Sequence, residues 1–386
     1  MTGQAGDIRG PLARVRVIDL ATVLAGPGIA RHLADFGADV IKVERPGGET
    51  TRTMGWKAPG EDDSLFWKIV SRGKRAVVLN LKSDLGRAEF LKLAKDADIV
   101  VENMRPGRLE RLGLGPLELH ELNPALVIVR VSGFGQTGPY AERPGFATIA
   151  EAMSGFSNIS GEPSGPPLLP PIALTDEVVA IVGAFAAVMA LRHAEHTGQG
   201  QVVDVNLLES MLNLMGPLPA AYDSLGYLQP RMGSGIPYTV PRGTYQCRDG
   251  IWVALSASSE SVASRVLTLL GLGEDTRFAD FQSRSEHREE LEARTIEWIA
   301  QRDSGEVLSS FHAADAAISA VYSMRDVVAD EHIKDRESLI RVDGVLMQAP
   351  IAGLSLTPAT VRWAGQPYDA DITEITWADN QRAGRG

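Results

Sequence analysis

Asp176, within the run LPPIALTDEVVAIVGAF, is a carboxylate set between a Gly/Pro-rich loop and a long apolar stretch. Asp at such a boundary is first of all a helix N-cap, its oxygen accepting from the first free backbone N–H groups. Held at a loop end, the same carboxylate is also a nucleophile that can take an acyl group covalently and keep it activated. Six cations form a second candidate group: Arg45, Lys74, Arg75, Arg105, Arg108 and Arg111 lie beside the ends of β-branched runs. Ligands of open α/β sheets bind outside the carboxyl ends of the strands, and Arg and Lys converging there suit a ligand with several phosphates. Solvated surface charges paired with Asp and Glu would have the same spacing, and the sequence does not choose between the two.

The turn Ala25-Gly26-Pro27-Gly28 is a third feature. A dinucleotide fingerprint needs a third glycine where this chain has Arg31, so the pattern fails even though Glu44 stands at a suitable distance for a ribose. As a tight turn feeding a helix, it still offers N–H groups to a phosphate or a developing oxyanion. His193 and His196 lie three residues apart on a helix with no third metal ligand nearby, which is the pattern of a solvated helix end. No G-x-S-x-G elbow is present, and the single cysteine, Cys247, falls in an expected hairpin with no activating neighbour.

The elements that must hold these residues alternate in type. Strands are expected over 15–20, 40–43, 76–79, 99–102, 126–131 and 202–206. Helices are expected over 29–36, 85–94, 107–112, 177–195 and 207–215. This is the α/β pattern of a doubly wound parallel sheet. From 133 to 171 the composition turns to Gly, Pro and Ser, the chemistry of a functional loop. A linker begins near Gly216, a hairpin comes next around Arg248-Asp249-Gly250, and a charged helix covers about 286–302, together predicting a smaller second domain. The expected division is 1–215 and 316–386 for the large domain and 216–315 for the small one. The tail from Ile351 reads as extended, with NQRAGRG disordered at its end.

The 386 residues are 44% apolar and carry a net charge of −11, a field that repels phosphate backbones and excludes nucleic acid as an expected partner. One cysteine allows no intrachain disulfide and fits a reducing, cytoplasmic setting. The opening MTGQAGDIRG lacks a signal-like apolar run, and Val178–Leu191 is short for a membrane span and suits a buried helix.

Several segments together resemble the family III CoA-transferases, a group that also holds the α-methylacyl-CoA racemases. They are VIDLATVLAGPGIARHLADFGADVIKVERP, DADIVVENMRPGRLERLGL, NPALVIVRVSGFGQTGPYAERPG and the stretch containing Asp176. The resemblance implies a Rossmann-like large domain with an inserted smaller α+β domain, and two chains interlocked as a homodimer. It implies no resident cofactor or metal, with an acyl-CoA and a carboxylic acid as the molecules bound. Asp176 matches the catalytic aspartate, which attacks the thioester to give a mixed anhydride and then an Asp-CoA thioester. Val23 and Leu24 match positions beside it. Arg45, Leu79, Asn103, Met104 and Arg111 match positions around the adenosine and phosphates, with Lys74 and Arg75 as helpers, and Arg108 joins them as a CoA-binding candidate from its place in the strand-end cluster. Gly233-Ser234-Gly235 stands where the transferases have a closing glycine loop.

Racemisation needs acid/base groups on both sides of the α-carbon. The racemases' Gly-His-Asp reads Gly145-Phe146-Ala147 here, and their small-domain Glu reads Ser259, so that activity is the lesser alternative, beside a non-catalytic CoA-binding protein. Leu24, Phe146 and Phe156 imply an apolar acyl pocket.

Overall fold

A computed structural model describes residues 10–378, so the end of the tail that the sequence suggests is disordered lies outside the described residues. The β-branched runs become β1 (Arg16–Asp19), β2 (Asp39–Glu44), β3 (Lys74–Val78), β4 (Ile99–Glu102), β5 (Val127–Ser132) and β6 (Val202–Asn206). They form one sheet in the order β3-β2-β1-β4-β5-β6, and every pair is parallel. Its inner strands are covered on both faces, which is why β1, β2 and β4 carry adjacent apolar residues (Val17-Ile18, Val40-Ile41, Ile99 to Val101) instead of alternating. The chain runs outward from β1 to β3, then returns to the other side at β4. A sheet wound in this way opens a crevice at the carboxyl ends of β1 and β4.

The helices before the first domain break are α1 (Ala25–Asp35), α2 (Leu65–Val70), α3 (Asp84–Lys95), α4 (Arg108–Arg111), α5 (Pro116–Leu122) and α6 (Ala147–Met153). Then come α7 (Phe156–Ile159), α8 (Leu174–Thr197) and α9 (Leu207–Leu214). α8 begins two residues before Asp176: its N-cap is Ala173, with no side-chain cap, and Asp176 is the third residue of the first turn. The capping role that the sequence favours is therefore not what Asp176 does. α8 lies close against α1 because glycines face it. A Cβ at Gly28 would come within 2.7 Å of the Ala180 side chain, and one at Gly183 within 2.3 Å of Ile29. Gly28 is thus a packing residue that lets α8 approach. The expectation that the apolar helix is buried holds for one side only: Ile181, Val182, Phe185, Val188 and Met189 are exposed. α8 is long and apolar enough to cross a membrane, by length and composition alone.

The chain divides into two compact units. One runs to Ser154, resumes over Pro170–Gly216 and returns from Asp335; the other comprises Gly155–Leu169 and Pro217–Lys334. The returning tail covers the β3 edge of the first unit: Val78 N donates to Ile372 O at 2.7 Å, and Trp377 Nε1 to Leu93 O at 3.2 Å. An open parallel edge is thereby masked.

In the second unit, the predicted hairpin is β7 (Arg242–Gln246) and β8 (Trp252–Ser256), joined antiparallel by β9 (Ile318–Ala320). Because Leu255 pairs with Ile318, this unit cannot end at 315 as the sequence suggests, and it continues to Lys334. Ser259 caps the helix Glu260–Leu269 by accepting from Val262 N. The glycine loop is tied down locally, with Ser234 O accepting from Arg242 Nη1 at 2.9 Å and Gly233 N donating to Gly161 O at 3.0 Å. Cys247 is buried, and burial first, then Asp249 and Asp303, push its thiol up.

Candidate active site

A cavity of about 960 Å³ opens at the carboxyl ends of the first unit's strands, where the strand order predicts a ligand crevice. Its walls come from the segments after β1 (Thr22 to Ala25), β2 (Arg45, Pro46, Glu49), β3 (Leu79 to Lys82), β4 (Asn103 to Pro106) and β5 (Gly133). Ala141, the run Arg143 to Thr148, Arg108, Asp176 and Leu207 also line it.

The segment after β1 is anchored by a buried charge cluster. Asp19, at the end of β1, is fully buried; it accepts from Lys74 Nζ at 2.7 Å, Lys42 Nζ at 3.5 Å and Ala21 N at 3.1 Å. Burial alone would raise this carboxyl, but Lys42 and Lys74 hold it below its ordinary value. Lys42 also donates to Ala21 O, so the backbone after β1 is gripped from both sides. The loop continues into Val23, whose φ of 68° is a genuine outlier for a β-branched residue. Asn103 clamps the same loop, its Oδ1 accepting from Thr22 N at 2.8 Å and its Nδ2 donating to Thr22 O at 2.7 Å.

Asp176 is half-buried at the cavity wall, and among the described residues its carboxylate accepts no hydrogen bond. Burial first, then the negative charges of Glu151 and Glu177, push its carboxyl up to about 6. Glu177, next in sequence, is different. Burial would raise it, but hydrogen bonds from His32 and Arg31 hold it down at about 2.

Five cations face the cavity: Arg45, Lys82, Arg105, Arg108 and Arg143. Among the described residues none of them makes an ion pair, whereas Arg52, Arg72, Lys74, Arg75 and Arg130 all do. In a chain with a net charge of −11, unpaired cations gathered at one cleft select a polyanion.

Residues 12–371 match CoA-transferase family III. The chain belongs to that family. It is 37% identical over 374 residues to the succinyl-CoA–D-citramalate CoA-transferase of Chloroflexus aurantiacus, covering 95% of this chain and 93% of that protein. It is 34% identical over 346 residues to the succinate–glutarate CoA-transferase of Agrobacterium fabrum, covering 86% of this chain and 85% of that one. The crystal structure of a CAIB/BAIF family protein from Brucella suis superposes with a TM-score of 0.83 at 31% identity, covering 95% of this chain and 98% of the other. The protein is an enzyme that transfers CoA, with acyl-CoA thioesters and carboxylic acids as its substrates.

Of the residues singled out from the sequence of this CoA-transferase, Val23, Leu24, Arg45, Leu79, Asn103, Met104, Arg108 and Asp176 line the one cavity. Lys74, Arg75 and Arg111 do not, and the first two are corrections with a clear cause. β3 begins at Lys74, so both cations sit at the amino end of the strand, and neither lines the cavity. Lys74 is spent on Asp19 and Pro27 O, and Arg75 on Asp39 at 2.7 Å. Arg111 falls on the last turn of α4 and off the lining. Phe156 belongs to the second unit. Three residues of interest do not stand out in the sequence: Lys82, Arg143 and Glu151. Lys82 lies beyond the carboxyl end of β3, so the strand-end rule that marks Arg45 marks it as well.

Proposed function

We propose that Asp176 is the acyl-accepting nucleophile of this CoA-transferase. The reading is carried by one observation: a half-buried carboxylate without a hydrogen-bond partner among the described residues lines the cavity that gathers the unpaired cations. An Asp176 oxygen attacks the thioester carbonyl carbon, the C–S bond breaks, and its electron pair leaves on the CoA sulfur. The thiolate then attacks Asp176 Cγ of the mixed anhydride and expels the donor acid, leaving an Asp-CoA thioester. The acceptor carboxylate attacks that thioester and the sequence runs back. No step wastes the activated acyl bond while water is kept out. The uncapped first turn of α1, which reaches the cavity through Leu24 and Ala25, offers N–H groups to the developing oxyanion.

Arg45, Lys82, Arg105 and Arg108 are the cations we assign to the CoA phosphates, with Leu79 and Met104 against the adenosine. Asn103, its amide already spent on Thr22, acts by shaping the wall. Arg45→Ala and Arg108→Ala should each raise KM for acyl-CoA about tenfold, with kcat changed little, as expected for loss of a charge-assisted contact made equally in ground and transition states.

Both relatives named above handle a four-carbon dicarboxylic acyl group, which supports a succinyl-like donor and a short dicarboxylic acceptor here. Arg143, its guanidinium 3.7 Å from the Tyr140 ring, shares the cavity wall with Phe146 and Ala147 and suits a second carboxylate. The test is CoA exchange from succinyl-CoA, a straight-chain acyl-CoA and an aryl acyl-CoA to short mono- and dicarboxylic acids, with hydroxylamine added to trap the intermediate. A hydroxamate at residue 176 is expected; steady exchange with no such adduct would overturn the covalent route.

We also propose that the enzyme works as a homodimer. The exposed apolar face of α8 is larger than isolated surface residues require and is suited to a second copy. Light scattering on the purified chain should return the mass of two chains. A stable monomer would reject the dimer.

A further inference from the structure

Glu151 lies on α6, is 3% exposed, and accepts from Thr175 Oγ1 at 2.7 Å through Oε1. Thr175 is fully buried and directly precedes Asp176 in the first turn of α8. Glu151 is not on the cavity lining, and among the described residues it makes no ion pair. A carboxylate taken out of water with a hydroxyl as its partner and no cation is costly to fold around, so its place beside the candidate nucleophile needs a reason.

The charged groups on neighbouring elements leave it uncompensated. On α1, Arg31 and His32 are both turned to Glu177, at 2.5 and 3.1 Å, and Asp35 is bound to Arg72 at 2.6 Å. α9 packs on α6 and α8, and its single titratable residue, Glu209, is exposed. On the strands behind α8, Arg130 of β5 is held by Glu102 and Glu110, and Asp204 of β6 accepts from Gln136 N.

We propose that Glu151 is a positioning residue for Asp176, fixing the first turn of α8 through Thr175 and setting an uncompensated negative charge behind the nucleophile. This has two effects. The hydrogen bond from Thr175 holds the turn so that residue 176 keeps its place on the cavity wall. The charge makes the Asp176 oxygen a stronger base, and a more basic carboxylate attacks a thioester faster while staying mostly ionised at neutral pH. The direction agrees with the Asp176 carboxyl standing at about 6, for which burial is the first cause and Glu151 the second.

The inference rests on Asp176 being the nucleophile, and its test separates the two ideas. Carboxyl carbons of labelled Asp are titrated by NMR in the wild type, Glu151→Gln and Glu151→Asp, with the Asp176 signal assigned by its loss in Asp176→Ala. Glu151→Gln keeps an oxygen for Thr175 but removes the charge, so the Asp176 midpoint should fall by roughly one pH unit, while Glu151→Asp should leave it near the wild type. The acidic limb of kcat/KM for CoA exchange should move with it. Equal midpoints in all three folded proteins, or equal shifts in both variants, overturn the proposal. A midpoint that falls only in Glu151→Gln supports it even if no acyl-CoA is turned over, an outcome that would count against the transferase chemistry at Asp176 alone.

Discussion

Asp176→Ala is expected to lower CoA exchange by at least roughly a thousandfold and, at pH 8, to raise the melting temperature. The two halves have one cause. A carboxyl standing at about 6 in the folded chain, against an ordinary 3.8, binds its proton more tightly folded than unfolded. Below pH 4 both states are protonated and the group has no effect on stability. As pH climbs from 4 to 6 the unfolded state loses its proton first, so the folded state becomes progressively less favoured. Above 6 the full deficit is present. Because Asp176 is partly open to solvent, we discount it to about 1 kcal/mol. Alanine removes the charge and should recover that amount, more at pH 8 than at pH 4. The favourable contribution of an acid in the first turn of α8 is already contained in that net upward shift. A capping aspartate predicts the opposite sign, a loss of about 1 kcal/mol. Calorimetry at the two pH values, run beside the exchange assay, therefore distinguishes nucleophile from cap. Activity retained in the variant sinks the covalent mechanism. In the wild type, kcat/KM should fall tenfold per pH unit below about 6, since only the ionised form attacks.

The sheet was legible because its strands are covered on both faces: runs such as Val17-Ile18 and Val100-Val101 have no polar partner positions to blur them. Arg45 and Arg108 were legible from position alone, since each stands in the segment beyond a strand's carboxyl end. The same rule misleads at Lys74 and Arg75 because β3 starts two residues before its apolar run, which hides that they precede the strand body. Glu151 was invisible for a different reason. It lies in a stretch whose Gly, Pro and Ser content reads as loop, and its meaning depends on a contact 24 residues away with Thr175. Asp176 shows the limit of local propensity. Asp before an apolar run is ordinarily a cap, yet the helix begins earlier, at Leu174, with Thr175 tied to α6, and the carboxylate is left free. In the second unit β9 returns to β8 from more than 60 residues away, which no hairpin signal could announce.

Asp19→Ala is expected to destabilise the chain by about 3–5 kcal/mol, a large share of what holds a domain folded. Asp19 lies between two ammonium groups, those of Lys42 and Lys74, in a site closed to water. Without it, Glu49, 3.7 Å from Lys42, is the nearest remaining acid, and Lys74 keeps only the Pro27 carbonyl. Lys74 already stands at about 8, lowered first by burial and also by Lys42, against the attraction of Asp19. Removing that attraction leaves a buried cation that must lose its proton or break the fold around it. The urea midpoint of Asp19→Ala should drop sharply, and the double change Asp19→Leu with Lys74→Met, which removes both charges, should recover most of the loss because the two sites are coupled. A single variant as stable as the wild type would show that the cluster is no structural keystone. The consequence reaches the chemistry, because Asp19 and Lys42 between them hold the backbone of Ala21, and that grip carries the chain into the strained Val23 and on to the first turn of α1. Any folded Asp19→Ala protein should therefore lose exchange activity as well, although Asp19 itself never meets the substrate.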